Sequence, residues 1–229
     1  MIILRKPRII IFDMDGVITN IRNSWRYLHE YFTPGANLDS VNICKERYIR
    51  GEISYARWMS CDIETLLRNA RRKIFKHEII NAYNKVGIYE EIKILIREAI
   101  NRGIRNFAIV SGGVSILARI TGDKLGINEI YANHLIFDSR GALIPAGIPV
   151  VEPFGKGFVI KKILSNKGLD ESETVYIGDS IWDLPAFEVV EYPIAINCEE
   201  CRKESYNDKI LHVSSHRELL ELLFKNLLI

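Results

Sequence analysis

Residues 8–17 read Arg-Ile-Ile-Ile-Phe-Asp-Met-Asp-Gly-Val, and this stretch decides the fold. Residues 9–12 form a short apolar run, rich in β-branched side chains, which is typical of a parallel strand buried on both faces. Two carboxylates, Asp13 and Asp15, follow at once. They repel each other at the end of a buried strand, and a hard cation such as Mg²⁺ would relieve that repulsion. A polar turn is the alternative, because Asp and Gly are also favoured in turns.

Similar apolar runs recur along the chain, and helical patterns separate them. The strand candidates cover residues 106–110, 174–177, 193–196 and 210–213. The helical patterns cover residues 90–102, 115–125, 156–167, 184–190 and 218–228. This alternation predicts an α/β fold whose core is a doubly wound, Rossmann-like parallel sheet. A short hairpin is expected over residues 133–144, with its turn at 139–141.

Residues 20–87 interrupt this alternation. Amphipathic helical patterns cover residues 23–32, 41–48, 55–67 and 72–84, and no strong strand candidate lies among them. We therefore predict two domains. The core comprises residues 1–19 and 88–229, and residues 20–87 form an inserted helical cap over one end of the sheet.

Ligands of open α/β sheets bind beyond the carboxyl ends of the strands. Two further segments of this kind carry groups that could bind an anion. Ser111 and Gly112 follow the strand candidate at 106–110, so a hydroxyl and backbone N–H groups would lie at a helix N-terminus. A simple helix cap is the alternative. Lys156 begins another helix, where its charge opposes the helix dipole unless an anion lies nearby. A solvated lysine is the alternative there.

The strand candidate at 174–177 is followed by two more acids, Asp179 and Asp183. With these in place, the sequence resembles the haloacid dehalogenase superfamily and, within it, the phosphoserine-phosphatase-like phosphatases. The likeness extends over nearly the whole chain and is weakest in the cap. The matching motifs are Asp13-Met-Asp-Gly-Val17, Ser111-Gly-Gly113, Lys156-Gly157 and Gly178-Asp179 with Asp183, supported by 50–55 and 131–135.

The resemblance implies a mechanism. Asp13 would attack phosphorus and become an aspartyl-phosphate, and Asp15 would act as general acid and base. Mg²⁺ would be the cofactor, bound by Asp13, the Asp15 backbone carbonyl and Asp179. Asp183 would lie behind these groups and orient the ligands or waters of the metal. Three groups would neutralise the phosphate oxygens in the transition state: Ser111, the Gly112 N–H and Lys156.

The cap departs from the phosphoserine phosphatase pattern. Where those enzymes place a glutamate for the substrate ammonium and an arginine for its carboxylate, this chain has Arg22 and Asp62. Trp182 replaces a small polar residue beside the site. These three are candidate specificity residues, and we expect phosphoserine to be a poor substrate. An internal ion pair between Arg22 and Asp62 is the alternative, and Tyr55 and Trp58 on a helix are more often core residues than a stacking surface.

The leading hypothesis is a Mg²⁺-dependent phosphatase that acts on a small phosphorylated metabolite. Phosphoserine phosphatase is the alternative. A phosphomutase and a phospho-accepting regulatory module are more remote. The regulatory module is disfavoured because a receiver-like domain requires neither an acid at Asp15 nor an inserted cap.

Composition limits the remaining classes. The chain has 229 residues and a formal charge of +2, values ordinary for a globular protein and unlike those of a disordered or collagen-like chain. No apolar run is long enough to span a membrane and the N-terminus lacks a signal-peptide pattern, so we expect a cytoplasmic protein that is a monomer or homodimer. The absence of glutamine favours a thermophile.

A cysteine pair and a basic run both have simple explanations that involve no ligand. Cys198 and Cys201 have the spacing of half a zinc site, but no second pair follows. We expect reduced thiols, with a local disulfide as the less favoured alternative. The basic run at 68–76 has the character of a solvated helix face, and no recognition motif accompanies it, so nucleic-acid binding is not expected.

Overall fold

The computed structural model describes residues 7–204 and 209–227, in which seven strands form one sheet. The strands are β1 (Ile9–Phe12), β2 (Asn106–Val114), β3 (Glu129–Phe137), β4 (Leu143–Ile148), β5 (Thr174–Gly178), β6 (Tyr192–Ile196) and β7 (Leu211–Val213). Their order is β4-β3-β2-β1-β5-β6-β7, and every neighbouring pair is parallel except β3 and β4. The predicted α/β fold with a doubly wound sheet is confirmed.

Strand β1 lies at the centre and is fully buried. Its side chains alternate between two apolar clusters: Ile10 and Phe12 belong to one, and Ile9 and Ile11 to the other. This explains why the decisive run is apolar without interruption, since both faces of the sheet are covered by helices.

The register of the central strands defines the functional edge. Phe12, the last residue of β1, pairs with Ile109 of β2 and with Ile177 of β5. Because the three strands are parallel, the residues that follow them meet at the same edge of the sheet.

The described helices divide between the insert and the core. Those of the insert are α1 (Ser24–Phe32), α2 (Asp39–Ile49), α3 (Tyr55–Ala70) and α4 (Lys76–Tyr83). Those of the core are α5 (Glu90–Asn101), α6 (Ser115–Leu125), α7 (Lys156–Lys167), α8 (Leu184–Phe187), α9 (Glu199–Glu204) and α10 (His216–Leu222), the last followed by a π-helical turn at Leu223–Leu227. Short 3₁₀ turns precede β5 at Glu171–Glu173 and α8 at Ile181–Asp183.

The helical insert shares its apolar core with the sheet. Leu28, Ile63 and Tyr83 belong to the same buried cluster as Phe12. Helix α3 packs against β4, and α4 packs against α6. The domain limits themselves, 20–87 against 1–19 and 88–229, remain a prediction, and residues 1–6, 205–208, 228 and 229 lie outside the described residues.

Helix α9 was not expected from the sequence, and three other elements, β2, β3 and α4, differ from the expectation in informative ways. Strand β2 continues to Val114, and β3 starts at Glu129, ahead of the predicted hairpin. The first half of β3 pairs with β2 and the second half with β4. Polar and apolar residues are mixed along β3, so its sequence lacks the apolar run that predicted the other strands. Helix α4 starts four residues later than expected, because the Glu78 carboxylate accepts the Phe75 N–H at its N-terminus.

The expectation of reduced thiols is wrong in this structure. Cys198 is bonded to Cys201, and Cys44 of α2 is bonded to Cys61 of α3. Cα separations of 5.3 and 6.6 Å are within the normal reach of a disulfide. The second bond ties two helices of the insert together across 17 residues of sequence, a separation that no local spacing pattern indicates.

Within the described residues, no helix combines the length and the apolar character needed to cross a bilayer.

Candidate active site

Asp13 lies at the end of β1 and is almost completely buried. Its Oδ1 accepts the N–H of Met14 at 2.7 Å, and its Oδ2 lies 3.0 Å from Nζ of Lys156. Burial raises the pKa of Asp13, although the positive charge of Lys156 opposes that rise. The carboxylate is therefore held in one orientation by a backbone donor and a buried cation.

Asp183 organises the centre of the site from a fully buried position. Its Oδ1 accepts hydrogen bonds from Nζ of Lys156 and from the hydroxyl of Tyr176, both at 2.5 Å. Its Oδ2 accepts the N–H groups of Asp179 and Ser180, each at 3.0 Å. Burial lowers the pKa of Lys156, but the attraction of the two carboxylates raises it overall, so the ammonium stays charged.

Asp15 is buried beside the N-terminus of α1. Its Oδ2 accepts both the N–H and the hydroxyl of Ser24 at 2.7 Å. Its Oδ1 is buried and has no hydrogen-bond partner among the residues that the structure describes. Burial, and then repulsion by Asp13, raise the pKa of Asp15 to about 7 in spite of these bonds. A carboxyl group in this state can release or accept a proton near neutral pH.

Asp179 completes an acidic cluster. One carboxylate oxygen each from Asp13, Asp179 and Asp183 lie within 4.8 Å of one another. Burial raises the pKa of Asp179 to about 8, with further contributions from its two acidic neighbours. Gly16 has φ of 74°, and a Cβ at that position would overlap the Asp179 carboxylate, so glycine allows this close approach.

These residues fit a hard divalent cation. Buried carboxylates that repel one another are the ligands that Mg²⁺ prefers, and bound Mg²⁺ would offset the cost of their burial. Each oxygen of Asp13 contacts one donor, the Met14 N–H or Lys156, and keeps a second lone pair for the cation, while the Asp179 carboxylate accepts no hydrogen bond among the described residues. Both oxygens of Asp183 already accept hydrogen bonds within the protein, which suits a residue that orients the others.

The segment Ser111–Gly113 lies beside the acidic cluster in the last part of β2. Ser111 is buried, and its hydroxyl accepts the N–H of Gly113 at 3.1 Å. A Cβ at Gly113 would collide with the Ser24 hydroxyl and the Asp15 carboxylate, so only glycine fits between them.

Three side chains fix the peptide that follows Gly112. Its carbonyl oxygen accepts hydrogen bonds from Asn133 Nδ2 at 2.8 Å, the indole N–H of Trp25 at 3.0 Å and the hydroxyl of Tyr55 at 3.2 Å. Asn133 is fully buried, and its Oδ1 accepts the N–H of Val150 at 2.7 Å. The segment Ser111–Gly113, the predicted anion-binding segment, is therefore tied both to the loop before Lys156 and to the helical insert.

A cavity of about 750 Å³ opens above these groups, between the sheet edge and the insert. Arg22, Asp62 and Trp182 all line it, as do Asp13 and Lys156. The structure thus brings the sequence-predicted site residues to one cavity: Asp13, Asp15, Ser111, Gly112, Lys156 and Asp179, together with the three cap and rim candidates, while Asp183 lies directly behind.

The proposed alternative of an Arg22–Asp62 ion pair is wrong. Oδ1 of Asp62 lies 2.9 Å from Nε2 of His29, and both side chains are almost fully buried. Arg22 is exposed, with no carboxylate in ion-pair range among the described residues. His29 and Asp62 face each other from α1 and α3, a contact between residues 33 positions apart that sequence alone does not reveal.

Comparisons with known proteins agree with this geometry. A family model of haloacid dehalogenase-like hydrolases matches residues 7–190. The chain belongs to this family. A phosphoserine phosphatase from Methanocaldococcus jannaschii is 26% identical over 219 residues, which cover 96% of this chain and 97% of the relative.

Solved structures match this haloacid dehalogenase-like hydrolase over the same length. One is a phosphoserine phosphatase with an analogue of the phospho-aspartyl intermediate, with a TM-score of 0.75, 24% identity and coverage of 96% of this chain and 99% of that one. Another is a HAD family hydrolase from Salmonella enterica serovar Typhi, with a TM-score of 0.76, 16% identity and coverage of 96% and 72%. The predictions of the superfamily, of its phosphoserine-phosphatase-like subgroup and of a phosphoric monoester hydrolase are confirmed.

Four residues that hold the site together were not predicted from the sequence: Ser24 on Asp15, Tyr176 on Asp183, Asn133 on Gly112, and His29 on Asp62. A signal existed for two of them. Tyr176 carries a hydroxyl in a fully buried strand, where it must find a polar partner. Asn133 belongs to the 131–135 motif and is a polar residue in an apolar segment.

Proposed function

We propose that this protein is a Mg²⁺-dependent phosphatase that hydrolyses a small phosphomonoester through an aspartyl-phosphate on Asp13. The observation that carries this proposal is the environment of Asp13: a buried carboxylate, fixed by Lys156 and the Met14 N–H and close to Asp179, beside a second carboxyl group with a pKa of about 7. A nucleophile, a proton donor and a cation share one small volume, as phosphoryl transfer requires.

In the first step a carboxylate oxygen of Asp13 attacks phosphorus, and the bond between phosphorus and the ester oxygen breaks. The leaving alkoxide takes the proton of Asp15. With a pKa of about 7, this carboxyl group is protonated in a substantial fraction of molecules at neutral pH. Ser24 holds it through two hydrogen bonds, so that its proton donor atom has a fixed position.

In the second step water attacks the phosphorus of the aspartyl-phosphate. Asp15, which has now lost its proton, accepts one from that water, and inorganic phosphate leaves as the Asp13 carboxylate is restored. Splitting one displacement into two makes each barrier lower than that of direct hydrolysis.

Charge on the transferring phosphoryl group is balanced by the chain's own donors: the Ser111 hydroxyl, the Gly112 N–H and the Lys156 ammonium. Lys156 is charged and buried, so its interaction with an anion is weakened little by solvent. Asp13, the backbone carbonyl of Asp15 and Asp179 would hold Mg²⁺, which supplies further positive charge beside the phosphoryl oxygens. Asp183 would orient Asp179 and Lys156 for these tasks.

Phosphoserine hydrolysis is the second candidate, and the names of the similar proteins favour it. The cavity argues against efficient use of that substrate. Asp62 is already paired with His29 and would repel a substrate carboxylate, while Arg22 would repel an ammonium.

A phosphate-release assay with Mg²⁺ over a panel of phosphorylated metabolites tests both candidates. Turnover of at least one ester, lost when a chelator removes the metal, is the expected result. Chelator-resistant turnover would contradict the metal, and turnover of phosphoserine with kcat/KM near about 10⁴ M⁻¹s⁻¹ or more would reverse the ranking of the two candidates.

A further inference from the structure

The cavity above Asp13 has an aromatic lining. Trp25, Tyr55 and Trp58 contribute from the insert, and Trp182 contributes from the rim of the sheet. At about 750 Å³ the cavity is in the range that accommodates organic ligands of the size of a cofactor or drug. It is therefore built to hold a substantial organic group in addition to a phosphoryl group.

Two of these rings are available to a ligand. Trp58 and Trp182 are both half-buried, and within the described residues neither indole N–H has a hydrogen-bond acceptor. Trp58 packs against Tyr48 with ring centroids 5.4 Å apart, and Trp182 packs against Phe154 at 5.0 Å. Each indole is supported from behind or beside by another ring while it borders the cavity, so its orientation is fixed before a ligand binds.

The face of Trp182 is covered by a weakly held group. Nζ of Lys45, from α2, lies 5.6 Å from the centre of the Trp182 ring. Lys45 is exposed, and among the described residues no carboxylate holds it. An exposed cation–π contact is weaker than the stacking of a planar base on an aromatic side chain, so such a ring can displace the ammonium.

The charged groups of the insert do not suit a small zwitterion instead. Asp62 is engaged by His29 at 2.9 Å, and Arg26 is paired with Glu30, also at 2.9 Å. The organic part of the substrate would therefore meet aromatic surface together with Arg22 and Lys45, two cations that no carboxylate pairs among the described residues.

We propose that the organic part of the substrate carries a planar aromatic ring, such as a nucleobase or a pyridine, which stacks on Trp182 and is enclosed by Trp58. This substrate class rests on the phosphatase activity proposed above. It also explains why a tryptophan, Trp182, lines the cavity beside the catalytic groups. Trp58 and Trp182 are then specificity-determining residues that touch the leaving group and not the phosphoryl group.

The test compares esters of matched reactivity. Adenosine 5′-monophosphate and ribose 5-phosphate release a primary 5′-alkoxide alike and differ in the base, and pyridoxal 5′-phosphate supplies a second planar ring. Acetyl phosphate, which is reactive and not aromatic, reports the phosphoryl-transfer machinery alone. We expect kcat/KM for at least one planar ester to exceed that for ribose 5-phosphate roughly tenfold or more.

Substitutions then assign the effect to the rings. Trp182→Ala should lower kcat/KM for the preferred planar ester by roughly ten- to a hundredfold and leave that for ribose 5-phosphate and acetyl phosphate within about twofold. Trp58→Ala should act in the same direction, and Trp182→Phe should restore much of the loss. Phe158→Ala is the matched control, because this aromatic residue of α7 is 76% exposed and does not line the cavity.

The outcomes separate the two proposals. If neither the three esters nor acetyl phosphate, an acyl phosphate, releases phosphate, the proposed function itself fails. If ribose 5-phosphate is hydrolysed as efficiently as both planar esters, or if Trp182→Ala lowers all four rates equally, the aromatic substrate class is wrong while the phosphatase stands. Should Trp182→Ala fail to fold, the wild-type comparison of planar and non-planar esters decides alone.

Discussion

Two regions enclose the cavity and differ in how their charges are arranged: the sheet edge, which includes Asp13, Lys156 and Asp183, and the wall, which is the lining that the insert 20–87 supplies. At the sheet edge, Asp13, Lys156 and Asp183 come from separate segments and concentrate unlike charges in a buried space. In the wall, His29 and Asp62 contact each other, and the rings of Trp25, Tyr55 and Trp58 contribute aromatic surface. The edge therefore carries the groups of the proposed reaction, and the wall carries those that would contact the organic part of the substrate.

This difference follows from how each region is built. The groups of the edge are placed by strand register, since β1, β2 and β5 end side by side. The groups of the wall are placed by helix packing and by the Cys44–Cys61 bond. Strand register is shared by any chain that adopts this sheet, whereas helix packing changes with each side chain. We therefore expect changes at the edge to abolish the reaction and changes in the wall to alter substrate choice and stability.

The largest effect is expected for Asp13→Asn. The amide cannot attack phosphorus, so phosphate release from a reactive aryl phosphate should fall by roughly 10⁴-fold or more. Circular dichroism and the thermal midpoint show whether the fold persists. Asp62→Asn is the matched control in the wall, and its rate should stay within a few-fold. Equal losses in the two variants would remove the distinction between edge and wall, and full activity of Asp13→Asn would refute the nucleophile.

Asp15→Asn should give a smaller loss that depends on the leaving group. A general acid typically contributes about 10²–10⁴-fold, so hydrolysis of an alkyl phosphate should fall by that factor. An aryl phosphate, whose leaving group needs less protonation, should lose less in the first step, and a burst of phenol with slow phosphate release is expected. Rapid-quench measurements distinguish the steps. Identical losses for alkyl and aryl esters, with no burst, would argue against the assigned role.

The metal should stabilise the fold more at high pH than at low pH. Burial raises the pKa of Asp179 to about 8 and that of Asp15 to about 7 without metal. Unfolded carboxyl groups lose their protons near pH 4, so the metal-free protein should lose stability as pH rises from about 4 to about 8. Mg²⁺ bound to the Asp179 carboxylate replaces the proton of that group, so the gain in Tm from Mg²⁺ should be larger at pH 8 than at pH 5.

Thermal unfolding at both pH values, with Mg²⁺ and with a chelator, measures this difference. A difference of about 1–2 kcal/mol corresponds to a shift of several degrees in Tm for a chain of this size. Asp179→Asn should lose most of the gain at pH 8. A gain that is equal at both pH values, or larger at pH 5, would contradict proton displacement from this cluster.

The same contrast explains what the sequence could predict. Asp13, Asp15 and Asp179 were found because each directly follows a recognisable apolar strand, and parallel strands bring their ends together without further information. The His29–Asp62 contact and the Cys44–Cys61 bond were not, because they depend on how the helices of the insert pack. The contact of Ser24 was not predicted for a related reason. Its partner, Asp15, lies nine residues earlier in the loop after β1, and the turn between the two residues has no repeating sequence pattern.

Tyr55 tests whether edge and wall are independent, since it belongs to both. Its ring lines the cavity, while its hydroxyl donates to the Gly112 carbonyl and accepts from Asn133 Nδ2 at 3.1 Å. Tyr55→Phe keeps the ring and removes one of three donors to that carbonyl. The loss of a hydrogen bond worth about 0.5–1.5 kcal/mol should lower kcat/KM by roughly two- to tenfold.

The pattern across substrates decides what that loss means. If the hydroxyl positions the Gly112 peptide, Tyr55→Phe should lower kcat/KM by the same factor for every phosphoester and for acetyl phosphate. The change in KM should then be similar for all of these substrates. If Tyr55 acts only as wall, Phe should preserve all rates. A loss confined to esters with large organic groups would place the hydroxyl in substrate recognition, and the coupling between the insert and the anion-binding segment would then reside in Trp25 and Asn133 alone.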